Sequence, residues 1–229
     1  MLHDIIRHLA FAPNLDSAVN QPPSKCYSIV PAAGRSKRMG GAKLLLPWGD
    51  GLLIDQVLAA WTDSRVDEVV VVVRNDDQAL TEACRRHRVH LVHPNDDPLE
   101  MKTSVQCALR EIQTRFTPKI HDRCFIAPAD VPTLSPRIID RLIAAESDAS
   151  TIVVPEFGGK PGHPALLPWP LTAEIFELGP DEGIDRIVKR NRQLAVPFPA
   201  EQRVVDVDTP EEYERLRDAL PEGWKKKRC

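Results

Sequence analysis

Residues 27–43 read YSIVPAAGRSKRMGGAK, a short apolar run that leads directly into a glycine-rich, basic loop. The run from Tyr27 to Ala32 has the length and composition of a buried strand. Small residues in the loop let the main chain approach a ligand closely, and successive N–H groups can form a nest for an anion. The cations of the loop are Arg35, Lys37, Arg38 and Lys43. This combination of strand, main-chain donors and cations predicts a site for a triphosphate.

Strands and helices alternate along the rest of the chain. The predicted strand at 68–73 contains five consecutive valines at 69–73, which is typical of a strand covered on both faces. The predicted strands are 27–32, 68–73, 89–92, 124–127, 151–154, 165–167 and 204–207, and the predicted helices are 52–61, 77–87, 103–116, 136–145, 171–178, 183–191 and 210–219. The alternation predicts a three-layer α/β domain with a mostly parallel sheet. Ligands of such sheets bind beyond the carboxyl ends of the strands.

Composition limits the class of protein. The 229 residues suit one α/β domain, and a net charge of −3 argues against a general nucleic-acid binder. Five scattered cysteines lack metal-binding spacing and indicate reduced thiols in a cytoplasmic protein. Apolar runs fall well short of the roughly 20 residues that span a bilayer, so no membrane partner is expected. We expect residues 1–25, with Pro22 and Pro23, to be an N-terminal extension and residues 26–229 to form the domain.

The loop departs from two other phosphate-binding patterns. A Walker A loop requires Ser or Thr after its lysine, and Leu44 follows Lys43. A dinucleotide-binding loop requires G-x-G-x-x-G, and Ser36 stands where the second glycine belongs. A nicotinamide-dependent oxidoreductase is therefore disfavoured, although a non-catalytic nucleotide-binding module remains an alternative.

Carboxylates follow two of the predicted strands. Asp130 comes after strand 124–127 and is not needed as a helix cap, because Ser135 and Pro136 begin the next helix. Asp206 and Asp208 are two residues apart on the last predicted strand and would share one face. Like charges on one face favour an intervening cation. The sequence therefore predicts that Asp130 and one aspartate of the later pair hold Mg²⁺, which prefers few carboxylates together with water and phosphate oxygens.

Several separated motifs together resemble one family. The stretch A-A-G-x-S-x-R-M-G at 32–40, the sequence KLLLP at 43–47, Asp130 and the D-x-D-T-P-E motif at 206–211 resemble the signature of the molybdenum cofactor nucleotidyltransferases, or MobA-like NTP transferases. The resemblance extends over nearly all of residues 27–220. It implies the Rossmann-like, glycosyltransferase-A-like nucleotidyltransferase fold.

The resemblance also implies roles for individual residues. Nucleotide-binding residues would be Ala32, Ala33, Gly34, Arg35, Ser36, Arg38, Met39, Gly40 and Lys43. Arg38, Lys43 and Asp130 would be catalytic, and the metal ligands would come from Asp130, Asp206 and Asp208. Acceptor-binding residues would be Lys102, Ser104, Gly162 and His163.

The implied reaction transfers a nucleoside monophosphate from an NTP to a phosphorylated small molecule. The sequence Ala-Ala-Gly at 32–34 resembles the cytidylyltransferases of the family, whereas its guanylyltransferases usually carry Ala-Gly-Gly. The expected substrates are CTP and molybdenum cofactor, and a molybdoenzyme or its chaperone is the expected recipient of the product. GTP as donor, or a sugar or polyol phosphate as acceptor, remains an alternative because a fold does not determine a substrate.

Overall fold

The computed structural model describes residues 24–39, 41–98 and 100–220. Within these ranges the chain forms ten strands and six α-helices, which alternate much as the sequence predicts. The strands are β1 (Cys26–Pro31), β2 (Pro47–Trp48), β3 (Gly51–Leu52), β4 (Glu68–Val72), β5 (His90–Val92), β6 (Arg123–Ile126), β7 (Ile152–Phe157), β8 (Lys160–Pro161), β9 (Ala165–Pro168) and β10 (Gln193–Phe198). The helices are α1 (Leu53–Thr62), α2 (Gln78–Arg85), α3 (Met101–Phe116), α4 (Pro136–Ile143), α5 (Asp185–Arg190) and α6 (Pro210–Asp218).

One large sheet organises the domain. Its strand order is β10-β7-β9-β6-β1-β4-β5, and β8 pairs with β7. Strand β1 pairs in parallel with β4 and β6, and further parallel pairs join β4 to β5 and β7 to β10. Strand β9 runs antiparallel to both β6 and β7. The predicted mostly parallel sheet is confirmed, and the carboxyl ends of β1, β4 and β6 meet at one edge.

Helices cover both faces of the sheet. Because side chains alternate along a strand, Tyr27 and Ile29 of β1 belong to one apolar cluster while Cys26 and Val30 belong to the other. Buried side chains of α1, α2, α4 and α6 fill the second cluster. Those of α3 and α5 fill the first. The predicted three-layer α/β architecture is therefore confirmed.

The predicted strand at 204–207 is wrong, since residues 203–208 form an irregular segment. Val205 N donates to Thr133 Oγ1 at 2.8 Å, and Val207 N donates to Asp130 O at 2.9 Å. The main chain thus binds the loop after β6 and has no strand ladder. Because this strand is absent, strand geometry does not support the expectation that Asp206 and Asp208 point to one face.

The place beside β7 at the edge of the sheet is taken by β10, which the pattern analysis missed. Four of its six residues are at least partly exposed. Pro197 has no N–H to donate, which an edge strand tolerates better than an inner strand. An edge strand of this kind lacks the continuous apolar signal of a central one. The segment predicted as a helix at 171–178 is a 3₁₀ helix, Trp169–Glu177, with Pro170 in its first turn.

Most of the predicted extension, residues 1–23, lies outside the described residues. Ser24 and Lys25, the last residues assigned to it, contact the domain: Ser24 Oγ donates to His121 O at 2.6 Å and Lys25 N to Asp122 Oδ1 at 2.9 Å. No helix in the described ranges is both long and apolar enough to span a bilayer.

Candidate active site

The loop after β1 turns immediately beyond the sheet. Ala32 N donates to Val72 O at 2.9 Å, which extends the pairing with β4 by one residue. Ala32 and Ala33 are buried, whereas Gly34 is exposed. Ser36 has a φ of 46° and its carbonyl accepts a hydrogen bond from Met39 N at 3.0 Å. A left-handed residue at 36 closes the turn, so the loop bends at a serine and not at its first glycine.

A cleft of about 550 Å³ opens between this loop and the start of α3. Of the predicted site residues, its lining includes Ala32, Ala33, Gly34, Arg35, Ser36, Lys43, Ser104 and Asp130. Arg38, Met39, Lys102, Gly162, His163, Asp206 and Asp208 are not part of this lining. Gly40 lies outside the described residues, and Met39 packs against the apolar cluster of α1. The cleft thus brings together most of the predicted nucleotide-binding residues.

Two of the predicted cations, Lys43 and Arg38, contact carboxylates next to the cleft. Lys43 Nζ lies 2.5 Å from Asp130 Oδ2 and 3.4 Å from Asp208 Oδ1. Arg38 Nη1 lies 3.1 Å from the other oxygen of Asp208. Lys43 is only 8% exposed, so its pair with Asp130 is shielded from solvent. In this structure the charges of Lys43 and Arg38 are therefore balanced by carboxylates.

Asp130 presents one carboxylate oxygen without a partner. Its Oδ1 is buried and has no hydrogen-bond partner among the described residues, whereas Oδ2 binds Lys43. A buried acceptor left in this state is costly, and a bound cation would satisfy it. The donor chemistry at this point therefore fits a hard divalent metal.

Asp206 lies close enough to Asp130 and His163 for their charges to act on it. Loss of hydration, and then the charge of Asp130, raises the pKa of the Asp206 carboxyl, while His163 lowers it. Asp208, by contrast, faces Arg38 and Lys43. Of these two aspartates, Asp208 is therefore the one that ion pairs engage in this structure. Within the described ranges, no three His, Cys, Asp or Glu side chains converge closely enough to hold a metal without other ligands.

The four predicted acceptor residues fall into different surroundings. Ser104 is buried in the wall of the cleft, and His163 is exposed beside Asp206. Gly162 packs against Phe157 so closely that a Cβ would lie 2.7 Å from the ring. Lys102 Nζ donates to the carbonyls of Gly179, Pro180 and Glu182 and lies 3.0 Å from Glu100 Oε2. Its ammonium therefore holds a loop of the protein in place.

Two further residues at this edge were missed by the sequence analysis. Arg74, next to the carboxyl end of β4, donates to the main chain of the loop after β1. Asp97, beyond β5, forms an ion pair with Arg35 across the mouth of the cleft. Both follow predicted strands, which is the signal that pointed to Asp130.

Comparison with known proteins identifies the family. The profile of the MobA-like NTP transferase domain matches residues 28–195, well over half of the chain. The chain belongs to this family. As a MobA-like NTP transferase it is a nucleotidyltransferase, in agreement with the resemblance of its loop and aspartate motifs.

The similarity of this MobA-like NTP transferase to known proteins covers most of its length. The molybdenum cofactor cytidylyltransferase of Escherichia coli K12 is 24% identical over 196 residues, which cover 85% of this chain and 96% of the relative. The purine catabolism protein PucB of Bacillus subtilis 168 is 28% identical, with 82% and 94% covered. The crystal structure of a Mycobacterium tuberculosis Rv0371c homologue from Mycobacterium sp. strain JC1 superimposes with a TM-score of 0.71 at 27% identity, covering 85% of this chain and 96% of that one.

Proposed function

We propose that this enzyme transfers CMP from CTP to molybdenum-molybdopterin in a Mg²⁺-dependent reaction that releases pyrophosphate. The observation that carries the proposal is that Lys43 and Asp130 form an ion pair in the cleft wall, and that Asp208 and Arg38 join this pair beside the cleft. This arrangement supplies main-chain donors, cations and carboxylates where a polyphosphate would lie. The similarity to the cytidylyltransferase of E. coli supports the choice of CTP and acceptor.

In the proposed reaction, the terminal phosphate of the acceptor attacks the α-phosphorus of the NTP, and pyrophosphate leaves in line. No protein nucleophile is required, so positioning and neutralisation of charge supply most of the catalysis. Lys43 and Arg38 bind the β- and γ-phosphates and stabilise the leaving group. The main chain of residues 32–36 holds the nucleotide against the cleft wall.

Asp130 and Asp206 are the residues that would hold Mg²⁺. The unpartnered, buried Oδ1 of Asp130 is the structural reason for this choice, and the engagement of Asp208 by Arg38 and Lys43 makes Asp206 the second ligand. When bound, the metal supplies positive charge to phosphate oxygens as charge develops on them. We expect His163, which is exposed near Asp206, and Ser104, in the cleft wall, to contact the acceptor.

Measurement of pyrophosphate release with each of the four NTPs, with Mg²⁺ and molybdenum cofactor present, tests the proposed function. CTP should give the highest kcat/KM, and omission of either molybdenum cofactor or Mg²⁺ should abolish release. Release with a sugar phosphate but not with molybdenum cofactor would refute the proposed acceptor while leaving nucleotidyl transfer intact.

The loop after β1 should favour CTP over GTP by about tenfold to a hundredfold in kcat/KM. Ala33 is buried and lines the cleft, and we place the base beside it, where its methyl group occupies room that a glycine would leave. A purine needs more room there, and a misplaced polar edge leaves buried groups unpaired at about 1–3 kcal/mol each. Ala33→Gly should raise kcat/KM for GTP and change that for CTP little. Equal use of both nucleotides by the unaltered enzyme would contradict this prediction.

A further inference from the structure

Arg74 contacts the main chain of the loop after β1. It follows the end of β4, and its Nη1 donates to two consecutive main-chain carbonyls, those of Ala33 at 3.1 Å and Gly34 at 3.2 Å. The side chain of Arg74 is only 12% exposed, so these charge-assisted hydrogen bonds are largely shielded from water. One guanidinium thus restrains two successive peptide groups.

The guanidinium is itself held on its other edges. Arg74 Nε donates to Asp76 Oδ1 at 2.9 Å, and Nη2 donates to Asp77 Oδ2 at 3.3 Å. Asp77 is the N-cap of α2, where its other oxygen accepts from Leu80 N at 3.1 Å. Arg74 therefore connects the first turn of a helix to the loop after β1. A rigid, planar donor group can serve all these acceptors at once, which a lysine ammonium cannot.

Restraint of these carbonyls determines where the neighbouring N–H groups point. A trans peptide is planar, with its N–H directed opposite to its C=O. The Ala33 carbonyl faces Arg74, so Gly34 N–H faces away from it, and the Gly34 carbonyl orients Arg35 N–H in the same manner. Gly34 and Arg35 both line the cleft. Two main-chain donors are thereby aimed without contact between Arg74 and the ligand.

We propose that Arg74 is a positioning residue, which fixes the main-chain donors of residues 34 and 35 for the nucleotide. The proposal deepens the proposed function and rests on it. Asp76 and Asp77 set the orientation of Arg74, and Arg74 sets that of the loop. A bound nucleotide then meets donors that are already ordered, which reduces the entropy lost on binding.

Arg74→Lys tests the proposal, because it keeps the charge and removes the fork. KM for CTP and the dissociation constant of Mg²⁺-CTP should each rise about tenfold, while kcat stays within about twofold. Amide hydrogen exchange of residues 33–36 should accelerate in the protein without nucleotide. Asp77→Asn, which preserves an N-cap residue for α2, should produce a smaller change in the same direction.

Arg86→Lys is the matched control. Arg86 also binds a carboxylate, that of Asp55, and a main-chain carbonyl, that of Ala83, but it lies at the far end of α2 from the loop. It should leave KM and exchange at residues 33–36 unchanged. A drop in melting temperature for Arg74→Lys, with unchanged KM and unchanged exchange in the loop, would overturn the positioning role.

Hydrogen exchange separates this proposal from the proposed function. Accelerated exchange in Arg74→Lys, together with weaker CTP binding, supports the positioning role even when the unaltered protein releases no pyrophosphate from any NTP. Full pyrophosphate release with equal KM in both proteins would refute the role of Arg74 and leave the proposed function standing.

Discussion

Asp130→Asn should lower kcat by about two to three orders of magnitude. Asparagine keeps the shape of the side chain but removes the charge that pairs with Lys43 at 2.5 Å and that would bind Mg²⁺ through the unpartnered oxygen. Steady-state pyrophosphate release over a range of Mg²⁺ concentrations measures the effect. Asp206→Asn should produce a loss of similar size that high Mg²⁺ partly restores, because Asp130 remains.

The melting temperature of Asp130→Asn without Mg²⁺ should fall. From the sequence alone, relief of repulsion between carboxylates predicts an unchanged or higher value. The structure reverses that expectation, because Asp130 is the closest partner of a lysine that is 8% exposed, and an unmatched buried charge is unfavourable. Lys43 keeps only the longer contact to Asp208, at 3.4 Å.

Asp122→Asn is the control for Asp130→Asn. Asp122 is buried next to the start of β6, the opposite end of that strand, where it accepts hydrogen bonds from Lys25 N and Lys119 N. Its substitution should lower the melting temperature without lowering kcat per folded molecule. Near-normal kcat of Asp130→Asn at low Mg²⁺ would eliminate Asp130 as a metal ligand.

Lys43→Met should lower kcat by about a hundredfold or more, with a smaller effect on KM for the NTP. Methionine preserves the apolar stem and removes the ammonium that would stabilise the leaving pyrophosphate. The change also leaves Asp130 and Asp208 without their shared cation. Mg²⁺ should therefore raise the melting temperature of this variant more than that of the unaltered enzyme.

Lys189→Met is the matched control for Lys43→Met, since Lys189 pairs with Asp185 on the exposed surface of α5. Its kcat and its response to Mg²⁺ should remain those of the unaltered enzyme. If Lys43→Met retained full kcat, the ammonium would have no part in stabilising the leaving group, and Arg38 would be the remaining candidate.

Strong local patterns allowed most of the fold to be predicted. The valine run at 69–73 lies in and next to β4, an inner strand whose two faces are both covered. The edge strand β10 escaped prediction because an exposed strand needs no continuous apolar run. The segment 204–207 has the apolar residues of a strand, but its main chain binds Thr133 and Asp130 instead.

The sequence predicted part of the candidate site, because the loop residues at 32–36 and Asp130 line the same cleft. Both the loop and Asp130 follow strands whose carboxyl ends meet at one edge of the sheet, which is why sequence position alone brought them together. Lys102 and Arg74 show the opposite case. Both are cations near the cleft, and only their tertiary contacts reveal that each donates hydrogen bonds to main-chain carbonyls.

The antiparallel strand β9 divides the sheet into two regions. Strands β6, β1, β4 and β5 are parallel neighbours and carry the loop, Arg74 and Asp130, whereas β7, β8 and β10 join them only through β9. Gly162 and His163 lie on the turn that leads into β9. Under the proposed function, mutations in residues 152–198 could therefore alter the contacts that Gly162 and His163 make with an acceptor, while the residues that bind the NTP stay unchanged.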